Sequence, residues 1–356
     1  MPAAATARDF TYRSSDGLAL HAVDYGNPAS PWLPIVCLPG LSRTARDFHE
    51  LALHLSTHRH RPRRVVAFDY RGRGRSQWDR NPANYNALTE MTDMLDGMTA
   101  LGIPRAVFVG TSRGGIIAMM TGVGRPAVVA GVVLNDIGPV IEPVGLARIK
   151  SYVGHTPVPE DWSDAVAVLK QLHGARFTAL GDDDWDALVR MTYRDDGGRP
   201  VADYDPALAR TLDGVEFDRP VPTLWDQFKT LGSMPVLAIR GENSDILSSA
   251  TLDEMARVHP GLESIIVAGE GHPPLLRHAL LQRISSFVTN IEGSSPPADA
   301  IIPQARETYD IDAALETVPA RRRRPSLLRQ GFFLFPLAVR PSAIGLDIAG
   351  VATAAE

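Results

Sequence analysis

The stretch from Arg105 to Met119, RAVFVGTSRGGIIAM, constrains this chain more than any other. AVFVG is a short β-branched run that reads as a buried strand, and GIIAMM behind it can start a helix. The residues joining them, Gly110-Thr111-Ser112-Arg113-Gly114, form a G-x-S-x-G pattern, and the strand-to-helix setting gives that pattern its meaning. A serine on so tight a turn needs minimal side chains two residues to either side. The turn is expected to lift the Ser112 hydroxyl above the sheet edge. It also sets the Arg113 N–H at a helix N-terminus, where developing negative charge is stabilised.

The flanking sequence supplies a sheet for this turn. Phe10 to Gly26 alternates apolar and polar residues around Ser15-Asp16-Gly17 and reads as strand, turn, strand. Ile35 to Gly40 (IVCLPG) is a buried-type strand, Arg46 to Leu55 has helical spacing, and Arg64 to Tyr70 (RVVAFDY) is another buried strand. A polar, Gly-rich loop follows, Asp69-Tyr70-Arg71-Gly72-Arg73-Gly74-Arg75-Ser76. In it Asp69 is expected to hold the loop backbone by hydrogen bonds. Asn86 to Leu101 reads as a helix stopped by Gly102 and Pro104, and Val128 to Asn135 as the strand after the serine helix. Strands alternating with helices imply a parallel sheet covered on both faces.

The pattern changes between Pro139 and Leu231. This segment has no strong strand runs, but amphipathic stretches at Val144–Val153, Trp162–Leu172, Trp185–Tyr193 and Leu224–Leu231, with turn-rich DDGGRP and YDPAL between them. Residues 139–231 are therefore expected to form a helical cap inserted into a core made of 1–138 and 232–292. The sheet resumes with PVLAIR (Pro235–Arg240), ending in Gly241-Glu242-Asn243-Ser244-Asp245, and with SIIVA (Ser264–Ala268), followed by Gly269-Glu270-Gly271-His272. Leu275–Ile291 reads as a closing helix. Residues 293–356 are rich in Pro, Ser and Ala and read as a disordered extension. They include a run of arginines, Arg321–Arg324, and the apolar Gly331–Val339, which is too short to span a bilayer.

In an open parallel sheet, active groups collect beyond the carboxyl ends of the strands. Ser112, Asp245 and His272 each lie just after an expected strand, in the order Ser, Asp, His. A serine hydroxyl is a poor nucleophile until a base takes its proton, which His272 can do. The imidazole then needs a carboxylate on its other nitrogen to fix the tautomer and stabilise the imidazolium. Asp245 is the first candidate. Asp136, after the preceding strand, is the alternative acid, and Glu242 lies in the same loop as Asp245. Leu41, after Pro39-Gly40, is expected to offer a backbone N–H that pairs with that of Arg113 to hold an oxyanion. Arg43 and Arg46 sit close behind, either as solvated surface charges or as a bidentate anchor for a substrate carboxylate. The Arg113 side chain has a similar choice, between an anionic substrate and a nearby acid.

Composition narrows the partners. With 44% hydrophobic and 22% charged residues the chain is ordinary for a globular protein, and its net charge of −5 gives no electrostatic case for nucleic acid. The single cysteine, Cys37, rules out an intramolecular disulfide and a Cys-rich metal site. The opening MPAAATARDF lacks the apolar core of a signal peptide, and no apolar run is long enough to span a membrane. A cytoplasmic protein acting on a small molecule, without stable membrane insertion, is the expectation.

Taken jointly, Leu38-Pro39-Gly40-Leu41, the Asp69–Ser76 loop, Gly110–Gly115, Asn135-Asp136-Ile137-Gly138-Pro139, Arg240–Asp245 and Gly271-His272 resemble the α/β-hydrolase superfamily, in particular its bacterial members with a helical cap. The likeness covers Phe10 to Ile291. It implies an α/β-hydrolase fold: a mostly parallel eight-stranded sheet, the second strand antiparallel, with helices on both faces and an inserted helical cap. It also implies catalysis without a cofactor through a covalent acyl-enzyme on Ser112. The family's oxyanion loop often reads His-Gly where this chain has Pro39-Gly40. The residue after the nucleophile is usually Met, Leu, Gln or His, where this chain has Arg113. A serine at the elbow argues against the dehalogenases and epoxide hydrolases of the superfamily, which use a carboxylate. The expected activity is cleavage of a small carboxylic ester, lactone or thioester. C–C bond hydrolysis of a β-diketone-like substrate uses the same residues, and a non-hydrolytic ligand sensor or cofactor-free oxygenase is the other class.

Overall fold

A computed structural model of the chain describes residues 7–214 and 221–293. The expected C-terminal extension falls almost wholly outside them. The strands are β1 (Ala7–Arg13), β2 (Ala19–Tyr25), β3 (Ile35–Leu38), β4 (Val65–Asp69), β5 (Ala106–Thr111), β6 (Val129–Asn135), β7 (Tyr193–Asp196), β8 (Arg199–Ala202), β9 (Val236–Gly241) and β10 (Leu262–Val267). The α-helices are α1 (His49–Ser56), α2 (Ala87–Ala100), α3 (Arg113–Gly124), α4 (Pro143–Tyr152), α5 (Trp162–His173), α6 (Asp182–Thr192), α7 (Trp225–Thr230), α8 (Ser249–Val258) and α9 (Ala279–Glu292).

Eight strands make one sheet in the order β1-β2-β4-β3-β5-β6-β9-β10. β2 runs antiparallel to both of its neighbours, and every pairing from β4 to β10 is parallel. The α/β-hydrolase fold implied by the sequence motifs is therefore the fold observed. The serine strand β5 lies between β3 and β6, at the centre of the parallel part.

The central strands are apolar at nearly every position because both faces are covered. Side chains alternate across the pleat. Val36, Leu38, Phe108, Val132 and Leu134 join the cluster that includes Met94 and Met98 of α2, α3, and Met255 of α8. Ile35, Cys37, Val107, Val109 and Val133 join the cluster under α1 and α9, with Leu51, Leu55, Ile284 and Phe287. Truncating a fully buried ring such as Phe108 would cost about 3–5 kcal/mol. Helix α2 begins where expected: the Asn86 side chain accepts the Thr89 N–H at 3.0 Å, satisfying one orphan donor of the first turn. It ends at Gly102, whose φ of +65° suits glycine.

The segment between β6 and β9 is helical, with one addition. The turn-rich DDGGRP stretch is a two-stranded hairpin, β7 paired with β8, whose tip is Gly197 and Gly198 at positive φ. Helices α5 and α6 share their own small cluster with Phe177 and Tyr193, built on Leu169, Trp185 and Leu188. Leu224, Phe228 and Leu231, around α7, belong instead to the main cluster under the sheet. Among the described residues no helix is long and apolar enough to cross a membrane.

Candidate active site

The turn from β5 into α3 is as tight as its sequence requires. Ser112 has φ +52° and ψ −113°, a conformation few non-glycine residues adopt. Glycines on either side make this approach feasible. A Cβ on Gly114 would lie 2.0 Å from the Leu38 carbonyl oxygen, and one on Gly110 would lie 2.4 Å from the Gly114 backbone. Gly115 faces Ile137 at 2.3 Å in the same sense. Strained backbone at a single polar residue is a signature of functional sites.

Ser112 and His272 meet as the sequence predicts. The His272 Nε2 lies 3.0 Å from Ser112 Oγ, and its Nδ1 lies 2.8 Å from Asp136 Oδ2. Ser112, Asp136 and His272 are all buried. Asp136 follows β6 at φ +57°, and its carboxylate is fixed by two further donors. The Gly241 N–H donates to Oδ1 at 2.8 Å and the Ser244 hydroxyl donates to Oδ2 at 2.6 Å. Such a chain of bonds is the arrangement that can fix an imidazole tautomer and leave Nε2 facing the serine hydroxyl.

The expected acid, Asp245, is not the partner of His272. Its carboxylate is claimed by two arginines from the inserted segment. Arg148 of α4 grips it with two bonds, at 2.6 and 2.8 Å, and Arg176 adds an ion pair at 2.9 Å. Burial works against the charge on Asp245, but Arg148 and Arg176 outweigh it and hold the carboxyl below its ordinary range. Glu242, in the same loop, accepts the Gly269 N–H at 2.8 Å. The alternative acid, Asp136, occupies the expected geometry.

Arg113 lies at the first position of α3, so its N–H belongs to the first turn, whose donors have no acceptor within the helix. Its side chain does not line the cavity. It is fully buried, 3.6 Å from Glu90 of α2, so of the two readings of Arg113 the nearby acid is the one observed. Leu41 is also fully buried, and its carbonyl accepts a hydrogen bond from Arg73 Nε at 2.6 Å. Asp69 holds the neighbouring loop as expected, accepting the Arg75 N–H at 3.1 Å and the Ala45 N–H at 2.8 Å.

Ser112 and His272 open into a cavity of about 190 Å³. Ile149, Tyr152, Leu169, His173, Leu188 and Met191 of the inserted segment line it, together with the loop from Pro273 to His278. Arg43 lines it too, but is bound bidentately to Asp47 at 2.7 and 2.8 Å and also bonds the Thr192 hydroxyl. Arg46 reaches the Tyr193 carbonyl at 3.0 Å and pairs with Asp203 at 2.5 Å, so neither arginine is a simple solvated charge. Tyr193 carries a buried hydroxyl with no hydrogen-bond partner among the described residues. Burial, with help from Arg148 and Arg43, lowers the pKa of His173 to about 3, keeping that ring neutral. Among the described residues no group of three or more His, Cys, Asp or Glu side chains is arranged to hold a metal ion.

Several of these residues carry no signal in the linear sequence. Ser244 lies one residue before Asp245 and supports the competing acid. Arg148 and Arg176 come from stretches whose helical spacing says nothing of a strand end far along the chain. Glu90 sits among ordinary helix residues.

The chain is similar in sequence and fold to known proteins. Residues 35–282 match the alpha/beta hydrolase family model. The chain is 31% identical over 263 residues to a 3-hydroxybutyrate-oligomer hydrolase of Cupriavidus necator, covering 70% of this chain and 86% of that one. It is 29% identical over 235 residues to a 2-(acetamidomethylene)succinate hydrolase of Mesorhizobium japonicum, covering 65% and 79%. A solved α/β hydrolase from Novosphingobium aromaticivorans is 34% identical and superposes with a TM-score of 0.72 over 80% of this chain and 99% of its own. A strained serine after the central strand, a histidine within reach of it, and a family match that spans both make the chain a member of the α/β hydrolase family, and a hydrolase.

Proposed function

We propose that this hydrolase cleaves a small carboxylic ester through an acyl-enzyme, with Ser112 as nucleophile, His272 as base and Asp136 as the acid that orients it. The observation that carries this reading is the pair of hydrogen bonds on His272, 3.0 Å to Ser112 and 2.8 Å to Asp136. In the first half-reaction the Ser112 oxygen attacks the ester carbonyl carbon while its proton passes to His272 Nε2. The oxyanion is held by the backbone N–H groups of Leu41 and Arg113. His272 then returns the proton to the departing alcohol. A water molecule, deprotonated by the same nitrogen, releases the acid and restores Ser112.

In this reading residues 139–231 act as the cap over the site, and their side chains shape the acyl and alcohol pockets. The residues lining the cavity support that role: an apolar set from α4, α5 and α6 with a few polar groups, as small-molecule sites have. The relative from Cupriavidus necator is named for 3-hydroxybutyrate oligomers, so short oligoesters of a hydroxy acid are the first substrates to test.

The test is intact mass after incubation with a small fluorophosphonate, comparing wild type with Ser112→Ala, followed by turnover of p-nitrophenyl acetate and a 3-hydroxybutyrate dimer. One adduct on wild type and none on the variant is the expected result. Wild-type protein that takes no adduct and turns over neither ester would overturn the reading.

A further inference from the structure

We propose that Glu90 is a positioning residue for the oxyanion site, tying Leu41 and Arg113 together through a buried Arg73–Glu90–Arg113 bridge. The proposal rests on the serine-hydrolase reading above, in which those two residues supply the backbone donors.

The bridge joins three separate pieces of chain. Arg73 comes from the loop after β4, Glu90 from the first turn of α2, and Arg113 from the start of α3. All three side chains have 0% exposure. Arg73 Nε donates to the Leu41 carbonyl at 2.6 Å, and its Nη1 donates to the Arg71 carbonyl at 2.7 Å. The same Nη1 lies 2.8 Å from Glu90 Oε1. The other oxygen of Glu90 lies 3.6 Å from Arg113 Nε. Each arm of the bridge therefore ends on one of the two residues to which the hydrolase reading gives the oxyanion donors.

Stability alone gives a poor account of this cluster. Taking two guanidinium groups and a carboxylate out of water is costly, and apolar side chains of similar volume commonly serve a fold as well or better. Orientation gives a better account. Donors aimed at an oxyanion act only if they are already in place when the charge appears, and small misplacements are expensive in rate. The planar fork of Arg73 donates to the Leu41 and Arg71 carbonyls while its charge lies against Glu90, which a point charge cannot do. Its own loop is anchored too: Arg71 binds Asp93 with two bonds, at 2.7 and 2.6 Å. Glu90 acts on Leu41 and Arg113 through the charges of Arg73 and Arg113, whose positions this packing holds.

The experiment uses the full chain with Glu90→Gln and, separately, Arg73→Lys, which keeps the charge but cannot span both partners. Turnover of p-nitrophenyl acetate, affinity for phenylboronic acid and the pH profile of kcat/KM are measured on each. Both variants are expected to lose about 10- to 100-fold in kcat, with KM within about threefold, and to bind the boronate correspondingly more weakly. The pH midpoint stays at the wild-type value, because the His272–Asp136 pair is untouched. Folded variants with wild-type kcat and boronate affinity would reduce the cluster to a structural ion pair, whatever their Tm. A displaced pH midpoint would assign the effect to the base, and either result overturns the proposal. Should Glu90→Gln fail to fold, Arg73→Lys decides the question alone. A wild type that takes no fluorophosphonate on Ser112 fails the hydrolase reading itself. A wild type that is labelled, with variants labelled as fast, fails only the bridge.

Discussion

The Asp136 carboxylate sits 2.8 Å from His272 Nδ1, while Asp245, one strand further along the sheet, is turned away into a pair of arginines. Two strand ends offer a carboxylate here, and the one that meets His272 is Asp136. Asp136→Asn should therefore lower kcat/KM for p-nitrophenyl acetate by about four orders of magnitude, since an amide there favours the wrong imidazole tautomer. Asparagine tolerates the positive φ at this position, so folding should be retained. Asp245→Asn should change kcat/KM by less than about tenfold, and should instead lower the Tm, because it leaves Arg148 and Arg176 without their counter-charge. Equal losses of activity in the two variants would reverse the assignment.

The fold was legible in the sequence because buried strands and Gly-rich turns are written locally. Ile35–Leu38, Val65–Phe68 and Ala106–Val109 are apolar on both faces, and the turns after the second and third carry glycines the geometry requires, Gly72 and Gly74 at positive φ and Gly110 and Gly114 in close backbone approach. Which carboxylate meets His272 was not legible. Asp136 and Asp245 both follow strands, and adjacency to a strand end says nothing about which charges the inserted segment brings down onto it. Arg148 reaches Asp245 across 97 residues, a pairing no local pattern records. The Arg113 side chain was open for the same reason, its partner Glu90 lying on another helix. The β7–β8 hairpin is a different case. Its Gly197-Gly198 tip is a recognised hairpin signal, masked by the charged Arg194-Asp195-Asp196 and Arg199 around it.

Strain at the serine should be measurable apart from activity. A residue with a Cβ held at φ +52° carries an energetic cost that glycine escapes. Ser112→Ala and Ser112→Gly both remove the hydroxyl proposed as nucleophile and should both be inactive towards esters. They should differ in stability. Ser112→Gly is expected to resist urea better than Ser112→Ala by about 1 kcal/mol, the relief of strain exceeding the extra chain entropy of glycine. If the alanine variant proves the more stable, the turn is not strained in solution.

His173 should make the protein sensitive to mild acid. Its ring lines the cavity, edge-on to Tyr152 at 5.5 Å and to Phe177 at 6.3 Å. Burial first, then the nearby Arg148 and Arg43, depress its pKa from 6.5 to about 3. Between those two values the unfolded chain binds a proton at this site that the folded chain refuses. Stability contributed by His173 is therefore complete above the unfolded value and is lost progressively as the pH falls towards 3. His173→Phe keeps the edge-to-face contacts and removes the titrating group. Its Tm should fall less than that of wild type when the pH is lowered from neutral to about 5, with the two proteins most alike at neutral pH. Thermal melts across that range, read by circular dichroism, make the comparison, and parallel curves for the two proteins would mean that the folded His173 takes up its proton at an ordinary pH.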